Sequence, residues 1–236
     1  MTRPWETLET VATPDGPLDL RQRGERDFLI CIRGRVLMTS AAHRSEDALA
    51  SIACAHIAKR PSARVLIGGL GMGFTLRAAL DVLGRDARVT VAELNEAVAN
   101  WCRGPLAVLS RRAVDDPRTT LVIDDVSRVI AAASAGPTSR RFDSIVIDLY
   151  EGPQARIADD DPLYSPAATA AVFGALRDEG TYAVWCEKAS PAFERSLRRA
   201  GFRYELQRVG RGGSVHLIYA ARCPPMRKET PRRSAK

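Results

Sequence analysis

Arg64-Val-Leu-Ile-Gly-Gly-Leu-Gly-Met-Gly-Phe-Thr-Leu-Arg-Ala-Ala-Leu80, followed by Arg88-Val-Thr-Val-Ala-Glu-Leu94, is the stretch from which the fold is read. An apolar strand enters glycines at 69, 71 and 73, a helical pattern follows, and a second apolar strand ends at Glu93. Glycine is needed where the backbone takes positive φ or must let a ligand approach without a Cβ. The helix behind it presents N–H groups that have no partner within the helix. A carboxylate at the end of the next strand can accept both hydrogen bonds of a ribose diol, and Glu93 lies 20 residues beyond Gly73, as one strand-helix-strand unit requires. This is the pattern of a nucleotide-type site.

Outward from that stretch, strand and helix patterns alternate. Strands are expected at about 64–68, 88–93, 119–123, 143–148 and 181–186, and helices at about 73–83, 95–110, 126–134, 166–178 and 190–200. Apolar strands alternating with helices imply a parallel sheet covered on both faces. The end departs from this: Phe202-Arg-Tyr-Glu-Leu-Gln-Arg-Val209 and Ser214-Val-His-Leu-Ile-Tyr-Ala220 flank Gly210-Arg-Gly-Gly213, which reads as a hairpin. The reading is therefore an α/β fold, a mostly parallel seven-stranded sheet of the methyltransferase (Rossmann-like) type closed by an antiparallel hairpin. A plain dinucleotide-binding sheet is disfavoured by that hairpin.

Residues 1–60 differ. Leu18-Asp-Leu-Arg-Gln-Arg23 and Asp27-Phe-Leu-Ile-Cys-Ile-Arg-Gly-Arg-Val-Leu-Met38 look like short strands, the second turning at Arg33-Gly34, and so predict a small N-terminal antiparallel β unit. Apolar residues at 48, 49, 52, 53 and 57 give Ser45 to Lys59 a helical period, ended by Pro61. The expected division is a β unit with its linking helix over 1–60, an α/β domain over 61–222 and a basic tail over 223–236.

A chain of 236 residues with 45% apolar composition fills one such core with a small appendage. It has no apolar run of membrane-spanning length and no apolar signal segment near Arg3, Glu6 and Glu9, so a cytoplasmic protein is expected. Five scattered cysteines, without a Cys-x-x-Cys pair, imply neither a disulfide framework nor zinc. No His/Asp/Cys cluster has metal-ligand spacing, and no metal is expected. The net charge of +7 invites a nucleic-acid reading, but much of the excess lies in Arg227-Lys-Glu-Thr-Pro-Arg-Arg-Ser-Ala-Lys236 and on helix faces, where solvation explains it.

In an open parallel sheet the ligand lies beyond the carboxyl ends of the strands. The first strand ends in the glycine loop, the second at Glu93, the third at Asp124-Asp125 and the fourth at Asp148. Asp124 and Asp125 admit two readings, N-cap of the helix that follows and contact with an adenine amino group. Asp148 likewise reads either as a functional carboxylate or as one capping its own loop.

Val65-Leu-Ile-Gly-Gly-Leu-Gly-Met-Gly, Val91-Ala-Glu-Leu-Asn-Glu-Ala-Val98, Asp115-Asp-Pro-Arg-Thr-Thr-Leu-Val-Ile-Asp-Asp125, Phe142-Asp-Ser-Ile-Val-Ile-Asp148 and Pro162-Leu-Tyr-Ser165 together resemble, in order, the signature segments of the spermidine synthase (polyamine aminopropyltransferase) family. The resemblance covers roughly residues 25–220. It implies that Gly69, Gly71 and Gly73 form the nucleoside loop, that Glu93 holds the ribose and Asp125 the adenine, and that Asp148 orients an amine acceptor and receives its proton. It also implies a homodimer.

Departures from the family pattern matter equally. The family's Gly-Gly-Gly-Asp-Gly-Gly loop has an aspartate for the amine of decarboxylated S-adenosylmethionine, and Gly71 stands in that place, which puts preference for the decarboxylated co-substrate in doubt. The family's Asp-x-x-Asp-Pro becomes Asp148-Leu-Tyr-Glu-Gly-Pro153, so that Tyr150 and Glu151 are the expected acceptor-side residues. Where the family has Tyr-His-Glu, the chain has Ser45-Glu46-Asp47, which would furnish a diamine pocket poorly. His43 and His56 fall in unmatched positions. Leu149 to Asp161 reads as an acidic loop over the acceptor side, with Asp159-Asp-Asp161 either facing a cationic substrate or simply solvated.

The resulting expectation is a spermidine-synthase-like transferase using S-adenosylmethionine or its decarboxylated form to alkylate a small nucleophile, a cationic amine. The alternatives are a true polyamine aminopropyltransferase and a nucleoside-binding protein without catalysis. A nucleic-acid methyltransferase is disfavoured because the strand end reads Asp148-Leu-Tyr-Glu151 rather than Asn/Asp-Pro-Pro-aromatic.

Overall fold

The structure, a computed structural model, describes residues 3–154, 157–210 and 215–225. Four strands open the chain: β1 (Glu6–Thr13), β2 (Gly16–Arg23), β3 (Asp27–Ile32) and β4 (Arg35–Thr39) form an antiparallel sheet in sequence order. The expected β unit is thus larger by one strand. Glu6–Thr13 is exposed along most of its length, so no apolar alternation marks it. Helix α1 (Arg44–Cys54) then leads into the large sheet.

That sheet holds β5 (Arg64–Gly68), β6 (Arg88–Glu93), β7 (Thr119–Ile123), β8 (Phe142–Ile147), β9 (Leu176–Cys186), β10 (Arg203–Val209) and β11 (His216–Arg222), in the order β10-β11-β9-β8-β5-β6-β7. Pairs β7-β6-β5-β8-β9 are parallel, whereas β11 is antiparallel to both β9 and β10. This is the methyltransferase-type sheet. The hairpin places its reversed strand inside the sheet and leaves β10 at the edge; the expected turn residues 211–213 lie outside the described residues.

Helices α2 (Phe74–Val82), α3 (Glu96–Arg103), α4 (Val126–Ala135), α5 (Pro166–Ala175) and α6 (Pro191–Ala200) cover the sheet. Alternate strand residues point to opposite faces. Val65, Ile67, Val89 and Val91 join α1, α2, α3 and the N-terminal sheet in one apolar cluster. Leu66, Ile145, Ile147 and Val184 join α4, α5 and α6 in the other. The N-terminal sheet packs Leu18, Leu20, Phe28 and Ile30 into the first cluster, and Trp101 of α3 donates through Nε1 to Glu9 at 2.6 Å.

Two helices stop earlier than their periodicity implies. Helix α3 ends at Gly104, whose N–H is bonded to Asn100 and Trp101, and Leu106 is buried from a turn rather than a helix. Helix α5 passes directly into β9, with 177–180 bulging between the Phe142–Leu176 and Ser144–Thr181 pairs. At the amino end of the sheet, Asp143 is fully buried, accepts from Arg177 at 2.9 Å and the Arg64 N–H at 2.7 Å, and forms an ion pair with Arg60 at 3.2 Å. All five cysteines are buried and unpaired, and burial pushes the thiols of Cys54, Cys102, Cys186 and Cys223 up to about 12. Among the described residues no helix is long and apolar enough to cross a membrane, and no group of three or more His, Cys, Asp or Glu side chains is placed to hold a metal ion.

Candidate functional site

The carboxyl ends of β5, β6, β7 and β8 meet at one edge, so the glycine loop, Glu93, Asp125 and Asp148 share it. The loop is stitched to both flanking strands: the Gly69 N–H donates to Ala92 O at 2.9 Å and the Asp148 N–H to Gly68 O at 2.9 Å. Gly69 has φ +91°, and a Cβ there would collide with the Asp148 carbonyl. Gly71 has φ +51° and Gly73 +81°. Gly73 caps α2 without a side-chain bond, so no capping side chain accepts from the N–H groups at the helix start.

Glu93 is 8% exposed. Its two oxygens accept from Leu70 N–H and Asn95 N–H, each at 2.9 Å, so the carboxylate is locked against the loop. Burial raises its pKa, and the amides of Asn95, Leu70, Leu94 and Gly71 pull it back down. The next residue, Leu94, is 64% exposed. An apolar side chain held open beside Glu93 and a glycine loop offers a surface for a flat base; the sequence reading passed over it.

Asp125 caps α4, its Oδ1 accepting from Ser127 N–H at 2.8 Å, while Oδ2 has no partner among the described residues. Asp124 instead accepts from the N–H of Asp125 at 2.8 Å and lies 3.7 Å from Arg128. The capping residue of the pair is therefore the one assigned to adenine.

Asp148, partly buried, follows β8 and accepts from the Thr75 hydroxyl in the first turn of α2. Its pKa rises from 3.8 to about 7, first through burial and second through the nearby Glu46; the Thr75 bond opposes the shift. Tyr164, of the Pro162-Leu-Tyr-Ser165 segment, is buried, donates to Glu151 O at 3.4 Å, and feels Asp148 through space. Ser165 caps α5.

Tyr150 and Glu151 follow Asp148 by two and three residues. They line a neighbouring cavity of about 370 Å³ with Arg35, Gln154, Glu187 and Lys188, and the Arg35 guanidinium lies 5.0 Å above the Tyr150 ring. A larger cavity of about 510 Å³, between Thr181, Arg203 and Arg222, opens at the other end of the sheet. Asp161 accepts from Leu163 and Tyr164 N–H groups at 2.9 and 2.6 Å, holding the approach to α5, whereas Asp159 and Asp160 are exposed; residues 155–156 of the expected acidic loop lie outside the described residues.

The N-terminal unit reaches into the same edge. Met38 Sδ lies 2.8 Å from where a Gly71 Cβ would be, and Met72 beside it is wholly buried, so the loop presents no carboxylate. His43 stacks on Phe74 with centroids 4.3 Å apart and pairs with Asp47 at 2.9 Å. Glu46, in the same first turn of α1, is 8% exposed. His56 is distant, beside Thr181.

No family model matches the chain. Curated relatives are the polyamine aminopropyltransferase 1 of Pseudomonas aeruginosa, 40% identical over 85 residues (36% of this chain, 28% of that protein), and the polyamine aminopropyltransferase of Aeropyrum pernix, 36% identical over 103 residues (42% and 31%). A third, the polyamine aminopropyltransferase of Pyrobaculum neutrophilum, is 34% identical over 124 residues (50% and 39%). The matched segment spans well under half of each relative. In fold, the chain resembles the spermidine synthase of Thermotoga maritima (TM-score 0.69, 20% identity, 92% of this chain and 72% of that one). It also resembles a spermidine synthase in complex with the transition-state analogue AdoDATO (TM-score 0.67, 19% identity, 92% and 72%).

Proposed function

We propose that this chain, spermidine-synthase-like in sequence and in fold, binds the adenosyl part of S-adenosylmethionine or of its decarboxylated form, and transfers an alkyl group to a small cationic amine. On this reading the loop of Gly69, Gly71 and Gly73 backs the nucleoside, Glu93 holds the ribose, Asp125 and Leu94 meet the base, and Asp148 faces the amine. The sulfonium supplies an activated leaving group. The chain's part is positioning, exclusion of water and handling of one proton.

The observation that carries the reading is Asp148, raised to about 7 at the same sheet edge as Glu93. An alkylammonium near pKa 10 must lose a proton before its nitrogen attacks, and a base at about 7 makes that transfer about 4 kcal/mol less uphill than one at 3.8. The nitrogen–carbon bond forms as the carbon–sulfur bond breaks, its electron pair passes to sulfur, and the amine proton goes to Asp148.

Isothermal calorimetry with S-adenosylmethionine, its decarboxylated form and methylthioadenosine tests this reading. Binding of at least one is expected, and absence of all three would remove the nucleoside site. The names of the curated relatives favour a second reading, true aminopropyl transfer. Decarboxylated S-adenosylmethionine plus putrescine would then yield methylthioadenosine, and binding without turnover over a broad amine panel would mark a nucleoside-binding protein.

A further inference from the structure

Glu46 occupies an unusual place for a charged side chain. It is the third residue of α1 and is almost fully buried. A glutamate at that position commonly turns back to the N–H of the cap residue. Here no side chain caps α1, and the Glu46 carboxyl takes its hydrogen bond from the Ser45 hydroxyl at 2.5 Å. Asp47 turns outward to His43 with its side chain 48% exposed, whereas Ser45 and Glu46 are both buried, so Glu46 is the buried acid of the Ser45-Glu46-Asp47 segment.

The packing shows where it points. His43, just before α1, stacks on Phe74, the first residue of α2, and Thr75, the next residue, donates to Asp148. The two helix starts are therefore side by side, and Glu46 lies close enough to Asp148 to disfavour its ionisation. Among the described residues neither carboxylate is paired with a lysine, arginine or histidine. The groups acting on Asp148 are Glu46 from α1 and Thr75 from α2, and the ionisable Tyr164 lies nearby on the segment before α5. None of these supplies positive charge. Two carboxylates drawn out of water without a counter-ion repel one another, and a positively charged guest removes that repulsion.

We infer that Glu46 is a second acceptor-side carboxylate, which with Asp148 recognises a primary alkylammonium group. This rests on the reading of Asp148 given above and names the residue that sets the charge of the acceptor. The family resemblance implies that Ser45-Glu46-Asp47 furnishes a diamine pocket poorly; on this inference Glu46 supplies a different acid in its place.

The test compares wild type with Glu46→Gln, which keeps size and the Ser45 bond. Carbon-13 carboxyl NMR follows Asp148, assigned by its absence in Asp148→Asn, and calorimetry follows 1,4-diaminobutane and its neutral analogue butane-1,4-diol, each with and without methylthioadenosine. The expected result is a downward shift of the Asp148 titration in Glu46→Gln, at least tenfold weaker diamine binding, and no change for the diol or methylthioadenosine. A purely structural Glu46 would leave the Asp148 titration where it is. An unmoved titration, equal diamine affinity in the two proteins, or no diamine binding by wild type would each overturn the inference. Absence of methylthioadenosine binding alone would instead sink the nucleoside reading, because the NMR titration and the diamine arm without nucleoside still decide the role of Glu46.

Discussion

Asp148 should make the protein less stable at the pH where it is most useful. Its folded pKa of about 7 lies above the ordinary 3.8, so the native chain keeps a proton over a range in which the unfolded chain has lost it. Stability from this group is present in full below about pH 4 and declines as pH rises through 7. Between pH 5 and pH 8 the decline amounts to roughly 2.5 kcal/mol. Asp148→Asn retains an oxygen for the Thr75 hydroxyl and does not titrate. Urea denaturation of both proteins at several pH values is the assay. The variant should gain on wild type by roughly 2.5 kcal/mol between pH 5 and 8 while losing turnover, and wild-type kcat/KM should rise with an apparent pKa near 7. A stability difference that stays flat over this range would refute the account of Asp148, and so would full activity of the variant.

Three further outcomes follow from the geometry. Glu93→Ala orphans the Leu70 and Asn95 N–H groups, at a cost of about 1–3 kcal/mol each, and should weaken methylthioadenosine binding more than tenfold; unchanged affinity by calorimetry would take Glu93 out of the site. Gly71→Asp brings a Cβ against Met38 in a backbone conformation with φ +51°, costing about 1–3 kcal/mol in melting experiments. Combined with Met38→Ala it should shift preference toward decarboxylated S-adenosylmethionine, and an unaltered ratio of the two affinities would show that this loop position does not select. Asp143→Asn leaves Arg60 and Arg177 without their buried partner and should cost about 3–5 kcal/mol by denaturation. Because Asp143 lies at the far end of the sheet, nucleoside affinity of the folded variant should be unchanged.

What was legible in the sequence is what depends on local order. The glycine loop, the strands and the acids that end them follow from apolar runs and the short reach from strand to helix, and Glu93, Asp125 and Asp148 do arrive at one edge. Strand β1 was not legible because Glu6–Thr13 has no buried face to impose a period. Helix α3 was read too long because Leu106 and Leu109 continue an apolar spacing that Gly104 interrupts. The contacts of Met38 with Gly71 and of Arg35 with Tyr150 join positions far apart in the chain, and no spacing rule reaches them. Glu46 was hidden for a subtler reason: on a helix, adjacent residues face about 100° apart, so inward and outward acids exchange with a shift of one residue in the helix start.

A carboxylate that takes a proton from an amine must be kept from water, yet the end of an open sheet is a solvated place. Here β5 and α2 hold Asp148, through the Gly68 carbonyl that accepts from its backbone N–H and through the Thr75 hydroxyl that donates to its carboxyl. The segment between Arg35 and Cys54 adds to this edge: Met38 covers the glycine loop, His43 covers Phe74, and Glu46 brings a second charge. Chain segments on the two sides of residue 60 therefore meet at this edge of the sheet. On the function proposed above, 64–125 would hold the nucleoside, while the N-terminal unit brings the Glu46 charge near Asp148 on the acceptor side. Substitutions in that unit can then change the amine preferred while leaving Glu93 and its two amide bonds untouched.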